Sequence, residues 1–258
     1  MATAQTDPSR LLILGGTRDA RTLAQSCAAR YPLLRTISSL AGRTRTPRIA
    51  AGETRVGGFG GVQGLVDFIK QNGIDFVIDA THPFAAAIST HAAQACASAG
   101  VPRLQLLRRA WADEPEDHWL DANDMLDASR QIAETFNAGK VRVFLSTGRQ
   151  QITAFSPLQD TWFLVRTVDP LDNPTPLAQC KAIVGRGPFD VDEESALLQE
   201  HAIDVLVSKN SGGEATYAKI LAARRLGLPV IMLRPPAPQR GPKVFSVDEA
   251  IAWLSSPH

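Results

Sequence analysis

Four short polar stretches carry residue types and spacings that can do chemistry, and each follows an apolar run of strand length. The first is Gly15-Gly16-Thr17-Arg18, after Leu11-Leu12-Ile13-Leu14. A strand that breaks at glycines and opens a helix offers backbone N–H groups and a positive helix end to a pyrophosphate. Against the dinucleotide pattern G-x-G-x-x-G/A, Gly15 takes the first place and Ala20 the third, while Thr17 stands where the second glycine belongs. The Thr17 side chain holds a phosphate slightly farther off, and its hydroxyl is expected to donate a hydrogen bond to it. A plain strand-to-helix turn uses the same residues, so this motif alone leaves both readings open.

The second apolar run, Leu33 to Ser38, ends in Ser38-Ser39-Leu40-Ala41-Gly42-Arg43-Thr44-Arg45. Folds that bind NAD usually place an Asp or Glu about 20 residues after the glycines to hold the ribose 2′-hydroxyl. No carboxylate stands here to repel a 2′-phosphate, and hydroxyls with Arg43 and Arg45 can bind one. A dinucleotide site built on these residues favours NADPH over NADH; a basic solvent loop is the alternative.

The other three stretches are Thr81-His82-Pro83-Phe84, Ser146-Thr147-Gly148-Arg149-Gln150 and Ser208-Lys209-Asn210-Ser211-Gly212-Gly213. Open α/β sheets bind ligands outside the carboxyl ends of their strands, so four such turns are expected to converge on one cleft. His82 is the histidine placed in such a turn, where it can give a proton or a hydrogen bond or simply enter a helix. His91 lies in an Ala-rich helical stretch and reads as structural. No histidine or acid pair has metal spacing, so no metal is expected. The G-x-S-x-G elbow of hydrolases and the Lys-bearing P-loop of kinases are both missing.

Positioning these turns requires alternating strands and helices. Helical spacing over Asp19 to Arg30 is stopped by Pro32, and Thr54 to Val56 gives a brief strand. Val62 to Asn72 reads as a helix, Asp75 to Ala80 as a strand, Pro83 to about Ala99 as a helix, and PRLQLL opens another strand. Residues 109–120 break the pattern with acids, a proline and two tryptophans, and are taken as the link. A helix over Asp121 to Phe136 follows, then strands over Val141 to Ser146, Trp162 to Val168 and Lys181 to Gly185. Asp192 is expected to cap a helix to His201. IDVLVS and PVIML then read as strands around a helix from Tyr217 to Leu226, and Val247 to Ser255 closes the chain as a helix. Connections this short favour parallel neighbours and right-handed crossovers. The fold class is α/β: two tandem Rossmann-like domains with mainly parallel sheets and a cleft between them. The expected domains are 1–115, binding the dinucleotide, and 116–258, contributing to the substrate cleft.

Composition agrees and narrows the class. With 258 residues, 44% hydrophobic and 21% charged, the chain is ordinary globular material long enough for two domains. Its three cysteines, Cys27, Cys96 and Cys180, form no C-x-x-C. No apolar run approaches a membrane span, and the first ten residues lack a signal-peptide core, so a cytoplasmic location is expected. A net charge of +1 argues against general nucleic-acid or membrane-surface binding. Arginine nonetheless outnumbers lysine 21 to 6, and its planar fork suits carboxylate and phosphate ligands.

ILGGTRDA, DATHPFA, LSTGRQ and VSKNSGGEATYAKILAARRLGLPVIMLRPP together resemble the precorrin-6A reductase (precorrin-6x reductase) family of cobalamin biosynthesis, over about residues 10–254. The resemblance implies a macrocyclic tetrapyrrole substrate with many carboxylate arms. It also implies NADPH as cofactor, with hydride transfer to one ring carbon and a proton added to its neighbour to give precorrin-6B. Transient contact with neighbouring pathway enzymes fits such a role. On this basis Gly15, Gly16, Thr17 and Arg18 are expected to hold the pyrophosphate, and Ser38, Ser39 and Arg43 the 2′-phosphate. Thr81, His82 and Pro83 would line the nicotinamide side. Ser146, Thr147, Gly148 and Arg149 would face it, with Lys209, Asn210, Ser211 and Gly212 touching substrate or nicotinamide. Arg186 and Arg234 are further candidates for carboxylate arms, and His82 and Lys209 for the proton donor. Two rivals stand beside this reading. One is another NADPH reductase of a small carbonyl substrate, although neither Tyr31 nor Tyr217 is followed by a lysine four residues on. The other is a non-catalytic nucleotide- or anion-binding module.

Overall fold

The computed structural model describes residues 9–42, 50–136, 141–171 and 175–256. They divide into two compact units. One holds the residues up to Arg108 together with those from Pro236 on, and the other runs Arg109–Pro235.

The first unit alternates β1 (Arg10–Leu14), α1 (Arg18–Arg30), β2 (Arg35–Leu40), β3 (Glu53–Val56), α2 (Val62–Gln71), β4 (Phe76–Asp79), α3 (Ala86–Ala99) and β5 (Arg103–Leu106). The second contributes β6 (Trp119–Ala122), α4 (Met125–Thr135), β7 (Arg142–Leu145), β8 (Trp162–Thr167), β9 (Gln179–Val184), α5 (Val191–Glu200), β10 (Val205–Lys209), α6 (Ala218–Arg225) and β11 (Val230–Leu233). The chain then adds β12 (Lys243–Val244) and α7 (Val247–Leu254) to the first unit.

Both sheets are six-stranded and parallel throughout, with strand orders β12-β5-β4-β1-β2-β3 and β6-β11-β10-β7-β8-β9. Read from the edges β3 and β9, each has the doubly wound order 3-2-1-4-5-6. The sixth strand is exchanged in chain order: β12 comes from the far end of the sequence, and β6 precedes the five strands it joins. The expected boundary at 115/116 therefore moves to 108/109, and residues 236–258 belong with the first unit. A two-residue strand such as β12 has no readable periodicity, and β6 straddles the end of the acidic stretch read as the link and the start of the helix expected from Asp121, which as α4 begins at Met125.

Parallel strands covered on both faces read as unbroken apolar runs. Leu11 to Leu14 are all essentially inaccessible, each such side chain contributing about 1.5–3 kcal/mol by leaving water. Leu11 and Ile13 pack with α1 and α7, whereas Leu12 and Leu14 pack with α2 and α3. In the second unit Phe144, Leu164, Leu206 and Met232 form the core against α5 and α6.

Several boundaries shift for local reasons. β2 starts at Arg35 rather than Leu33, because the Leu34 N–H returns to the Tyr31 carbonyl at 2.9 Å and leaves Leu33 81% exposed. The cap of α5 is Asp190, whose carboxylate accepts from the N–H groups of Asp192 and Glu193, so Asp192 sits inside the first turn. Pro83 lies in a turn before α3, which begins at Ala86. The helix expected over Tyr217 to Leu226 is α6, Ala218–Arg225, and a 3-10 turn over Glu214–Thr216 precedes it.

Candidate active site

In a doubly wound sheet the ligand crevice opens where strand order reverses, between the first and fourth strands. In the first unit that point lies between β1 and β4, which carry Gly15-Gly16-Thr17-Arg18 and Thr81-His82-Pro83 at their carboxyl ends. In the second it lies between β7 and β10, which carry Ser146-Thr147-Gly148-Arg149 and Lys209-Asn210-Ser211-Gly212. The four polar turns are thus brought together two by two, one pair in each unit.

At the first switch point the backbones are in close contact. Gly15 has φ +122°, and a Cβ there would lie 2.6 Å from the Ala80 carbonyl oxygen. This is the tight turn that delivers the amides opening α1, which have no acceptor within the helix, toward an anion. The residues present therefore fit the phosphate part of a dinucleotide. The Thr17 hydroxyl does not behave as expected. It accepts from the Ala20 N–H at 3.1 Å as the cap of α1, and it donates its single proton to the Ala80 carbonyl at 2.9 Å. Thr17 shapes the cradle, while its hydroxyl proton is already committed. Arg18 is exposed beside it.

On the opposite flank, Asp79 is buried at the end of β4 and its Oδ1 accepts from both the N–H and the hydroxyl of Thr81. The Thr81 hydroxyl also lies 3.2 Å from Ser89 Oγ. His82 is exposed, and its Nδ1 accepts from the Phe84 N–H at 3.2 Å. With Nδ1 as acceptor, the neutral ring carries its proton on Nε2, which can serve as a donor.

Ser38 and Ser39 are consecutive strand residues and so face opposite sides of the sheet. Ser38 pairs in register with Ile13 and Ser39 with Leu14. Only Ser39 faces the side of α2, where it accepts from the Arg55 guanidinium at 2.8 Å. Arg43 and Arg45 lie outside the described residues. Arg55, which sequence reasoning did not single out, stacks 3.9 Å over the Phe59 ring and donates to the carbonyls of Gly57 and Gly58. A four-residue edge strand next to a glycine-rich turn gives no pattern that marks such a residue.

At the second switch point Lys209 donates its ammonium to the Thr147 carbonyl at 3.1 Å, and Ser146 Oγ donates to the Val207 carbonyl. Thr147 is 7% exposed, and its hydroxyl finds no partner among the described residues. Asn210 is occupied: its carbonyl accepts from the Trp111 N–H at 2.8 Å and its amide donates to the Trp111 carbonyl at 2.9 Å. The Trp111 indole donates in turn to Gly213. Asn210 thus fastens the linking segment to its turn, with Ser211 and Gly212 buried alongside. Arg234 follows β11 on the same edge but is already paired with Asp121, and Arg186 is exposed after β9.

In the same unit Arg166 of β8 and Glu194 of α5 form a bidentate buried ion pair. Nearby Lys219 is 5% exposed and donates to the Thr216 carbonyl at 2.8 Å. Burial pushes its ammonium down to about 7. Among the described residues no group of three or more His, Cys, Asp or Glu side chains could hold a metal ion. No helix among them is long and apolar enough to cross a membrane.

The similarity to known proteins spans nearly the whole chain. A precorrin-6A reductase of Rhodococcus erythropolis is 46% identical over 249 residues, covering 96% of this chain and 98% of that protein. One from a Sinorhizobium species is 44% identical, covering 98% of this chain and 97% of its own. A solved structure of the CobK precorrin-6A reductase superposes with a TM-score of 0.89 at 40% identity, covering 96% of each chain. The family model described as precorrin-6x reductase CbiJ/CobK matches residues 10–255, which takes in both sheets and all four polar turns. The chain belongs to the precorrin-6x reductase CbiJ/CobK family.

Proposed function

We propose that this chain is an NADPH-dependent oxidoreductase that reduces the precorrin-6A macrocycle to precorrin-6B in cobalamin biosynthesis. The observation that carries the reading is the 46% identity to a precorrin-6A reductase over nearly the full length of both proteins. The two doubly wound sheets, with a glycine turn that fits a pyrophosphate, agree with it. The reading includes a cytoplasmic location and transient contact with enzymes acting before and after it.

When bound, the nicotinamide supplies a hydride to one ring carbon of the tetrapyrrole. The protein's part is orientation, exclusion of water and placement of a proton at the neighbouring carbon. The Gly16, Thr17 and Arg18 amides would hold the pyrophosphate on the positive end of α1. Ser39 would lie on the ribose side. Thr81 and Pro83 would line the nicotinamide side, with Thr81 held in place by Asp79. In the second unit Thr147 offers a hydroxyl that has no partner among the described residues, and Lys209 offers an ammonium to attract carboxylate arms and carry a proton. His82 Nε2 in the first unit and Lys209 Nζ in the second are the two candidates for the proton donor.

The test is an anaerobic incubation of the protein with precorrin-6A and either NADPH or NADH. Expected are loss of NADPH absorbance and a product heavier by two hydrogens, with NADH much poorer. NADPH binding without turnover would leave a nucleotide-binding module and overturn the enzyme reading.

A further inference from the structure

We propose that Arg55 sets the preference of this protein for a 2′-phosphorylated dinucleotide, through a guanidinium held in place by Ser39, two backbone carbonyls and Phe59. The inference rests on the NADPH reading above and assigns its specificity to a residue of β3.

Position comes first. Dinucleotide folds distinguish a ribose 2′-hydroxyl from a 2′-phosphate at the carboxyl end of the second strand, by a carboxylate in one case and an arginine in the other. β2 ends in Ser39-Leu40-Ala41-Gly42 and has no carboxylate there. Arg55 is the register partner of Ser39 on the adjoining strand, and its Nη1 donates to the Ser39 hydroxyl at 2.8 Å.

Charge comes second. Arg108, Arg166, Arg224 and Arg234 each pair with a carboxylate. Among the described residues Arg55 pairs with none. Its acceptors are neutral: the Ser39 hydroxyl, the Gly57 carbonyl at 2.9 Å and the Gly58 carbonyl at 3.0 Å. The guanidinium stacks on Phe59 and lies 5.1 Å from the Phe68 ring, which meets Phe59 edge-on. Partial burial works against its charge. A half-buried cation without a counter-anion is costly unless a ligand supplies one.

Geometry comes third. A guanidinium has five N–H groups, and among the described residues three find acceptors. Two remain, the number a phosphate accepts from an arginine side-on. The stacking and the carbonyl bonds fix the plane in advance, so little rotamer freedom is lost on binding.

An arginine that merely staples the Gly57-Gly58 turn would make the same internal contacts. The two roles differ in what their loss does. The experiment measures dissociation constants for NADP+, NAD+ and 2′,5′-ADP with the wild type, Arg55→Ala and Arg55→Lys, alongside thermal unfolding of each. Two charge-assisted bonds to phosphate correspond to a loss of at least about 100-fold. Arg55→Ala should lose affinity for NADP+ and 2′,5′-ADP by about that factor, with NAD+ changed by less than about threefold. Arg55→Lys keeps the charge without the fork and should fall between, which also serves if the alanine variant does not fold. Equal losses for NADP+ and NAD+, or an unchanged ratio in either folded variant, would overturn the assignment. A wild type that itself binds both dinucleotides alike would overturn the NADPH reading, a failure visible before any variant is made.

Discussion

The Thr17 hydroxyl donates to the Ala80 carbonyl at 2.9 Å and so straps the first helix turn of one strand to the end of its neighbour across the switch point. In the second unit Lys209 does the same for β10 and β7, donating to the Thr147 carbonyl at 3.1 Å. In both sheets a side chain on one switch-point turn closes onto the backbone of the other. The turns that flank each crevice are therefore set before any ligand arrives, which reduces the ordering cost of binding.

For Thr17 this relationship predicts a loss of stability more than a loss of phosphate contact. Thr17→Ala removes a helix cap, at about 1 kcal/mol, and leaves the Ala80 carbonyl unpaired for about another 1 kcal/mol. The melting temperature should fall by about 5 °C. NADPH affinity should fall by less than about tenfold, since no charge-assisted bond is lost. Thr17→Ser keeps both bonds and should behave as wild type. A loss of affinity beyond about 100-fold in Thr17→Ala, with the fold intact, would mean that the hydroxyl contacts the phosphate directly.

Gly15 is constrained twice, by a φ of +122° and by the Ala80 carbonyl 2.6 Å from where a Cβ would lie. Gly15→Ala therefore combines backbone strain of about 1–3 kcal/mol with a clash that the rigid β4 backbone cannot relieve cheaply. The variant should lose NADPH binding and melt well below wild type. Gly148→Ala, at the matching turn of the second unit, has φ +80° but nothing within 4 Å of its Cβ, so it bears strain alone. Equal melting temperatures for the two variants would refute the close-contact argument; differential scanning calorimetry decides it.

Lys209→Ala removes the strap of the second switch point and the ammonium proposed to meet the tetrapyrrole. Charge-assisted bonds to carboxylate are worth about 1.5–3 kcal/mol, so kcat/KM for precorrin-6A should drop by about 10- to 100-fold. The NADPH dissociation constant should hold within about threefold, because the turns proposed to hold the cofactor are in the other unit. Unchanged kcat and KM would remove Lys209 from the mechanism.

How much of this could be read in the residues follows from how local each signal is. Runs such as Leu11 to Leu14, broken by Gly15-Gly16, announce a buried parallel strand and its turn, and both sheets were legible from such runs. β6 and β12 were not: β12 has only two residues, and β6 lies across the end of an acidic stretch, whereas the equally short edge strand β3 was read because a glycine-rich turn closes it. The same holds for side chains. Gly15 and Lys209 are marked by strand-turn context, but Arg55 acquires its meaning only from Ser39, 16 positions away, and Asn210 from Trp111, 99 positions away. Thr17 was correctly placed at the turn, yet the fate of its one proton depended on the Ala80 carbonyl, which no local pattern shows.

Lys219 gives stability a pH dependence of definite sign. Its ammonium is buried beside the Trp111 ring, with Glu194 favouring the charge and Arg166 opposing it, and burial dominates, lowering the group to about 7. In the unfolded chain a lysine titrates near about 10.4. Between those values the unfolded state binds a proton that the folded state does not, so stability rises with pH through this window. Below about 7 both states are protonated and the folded state bears the whole cost of the buried charge. Lys219→Met removes that cost while roughly keeping the volume. Denaturant unfolding at pH 7, 8 and 9 should show the variant more stable than wild type at pH 7. The gap should narrow toward pH 9, by up to roughly 1.4 kcal/mol per pH unit. Parallel pH profiles for the two proteins would show that Lys219 does not change its protonation on folding, and the buried ammonium would then be held fully charged by Glu194.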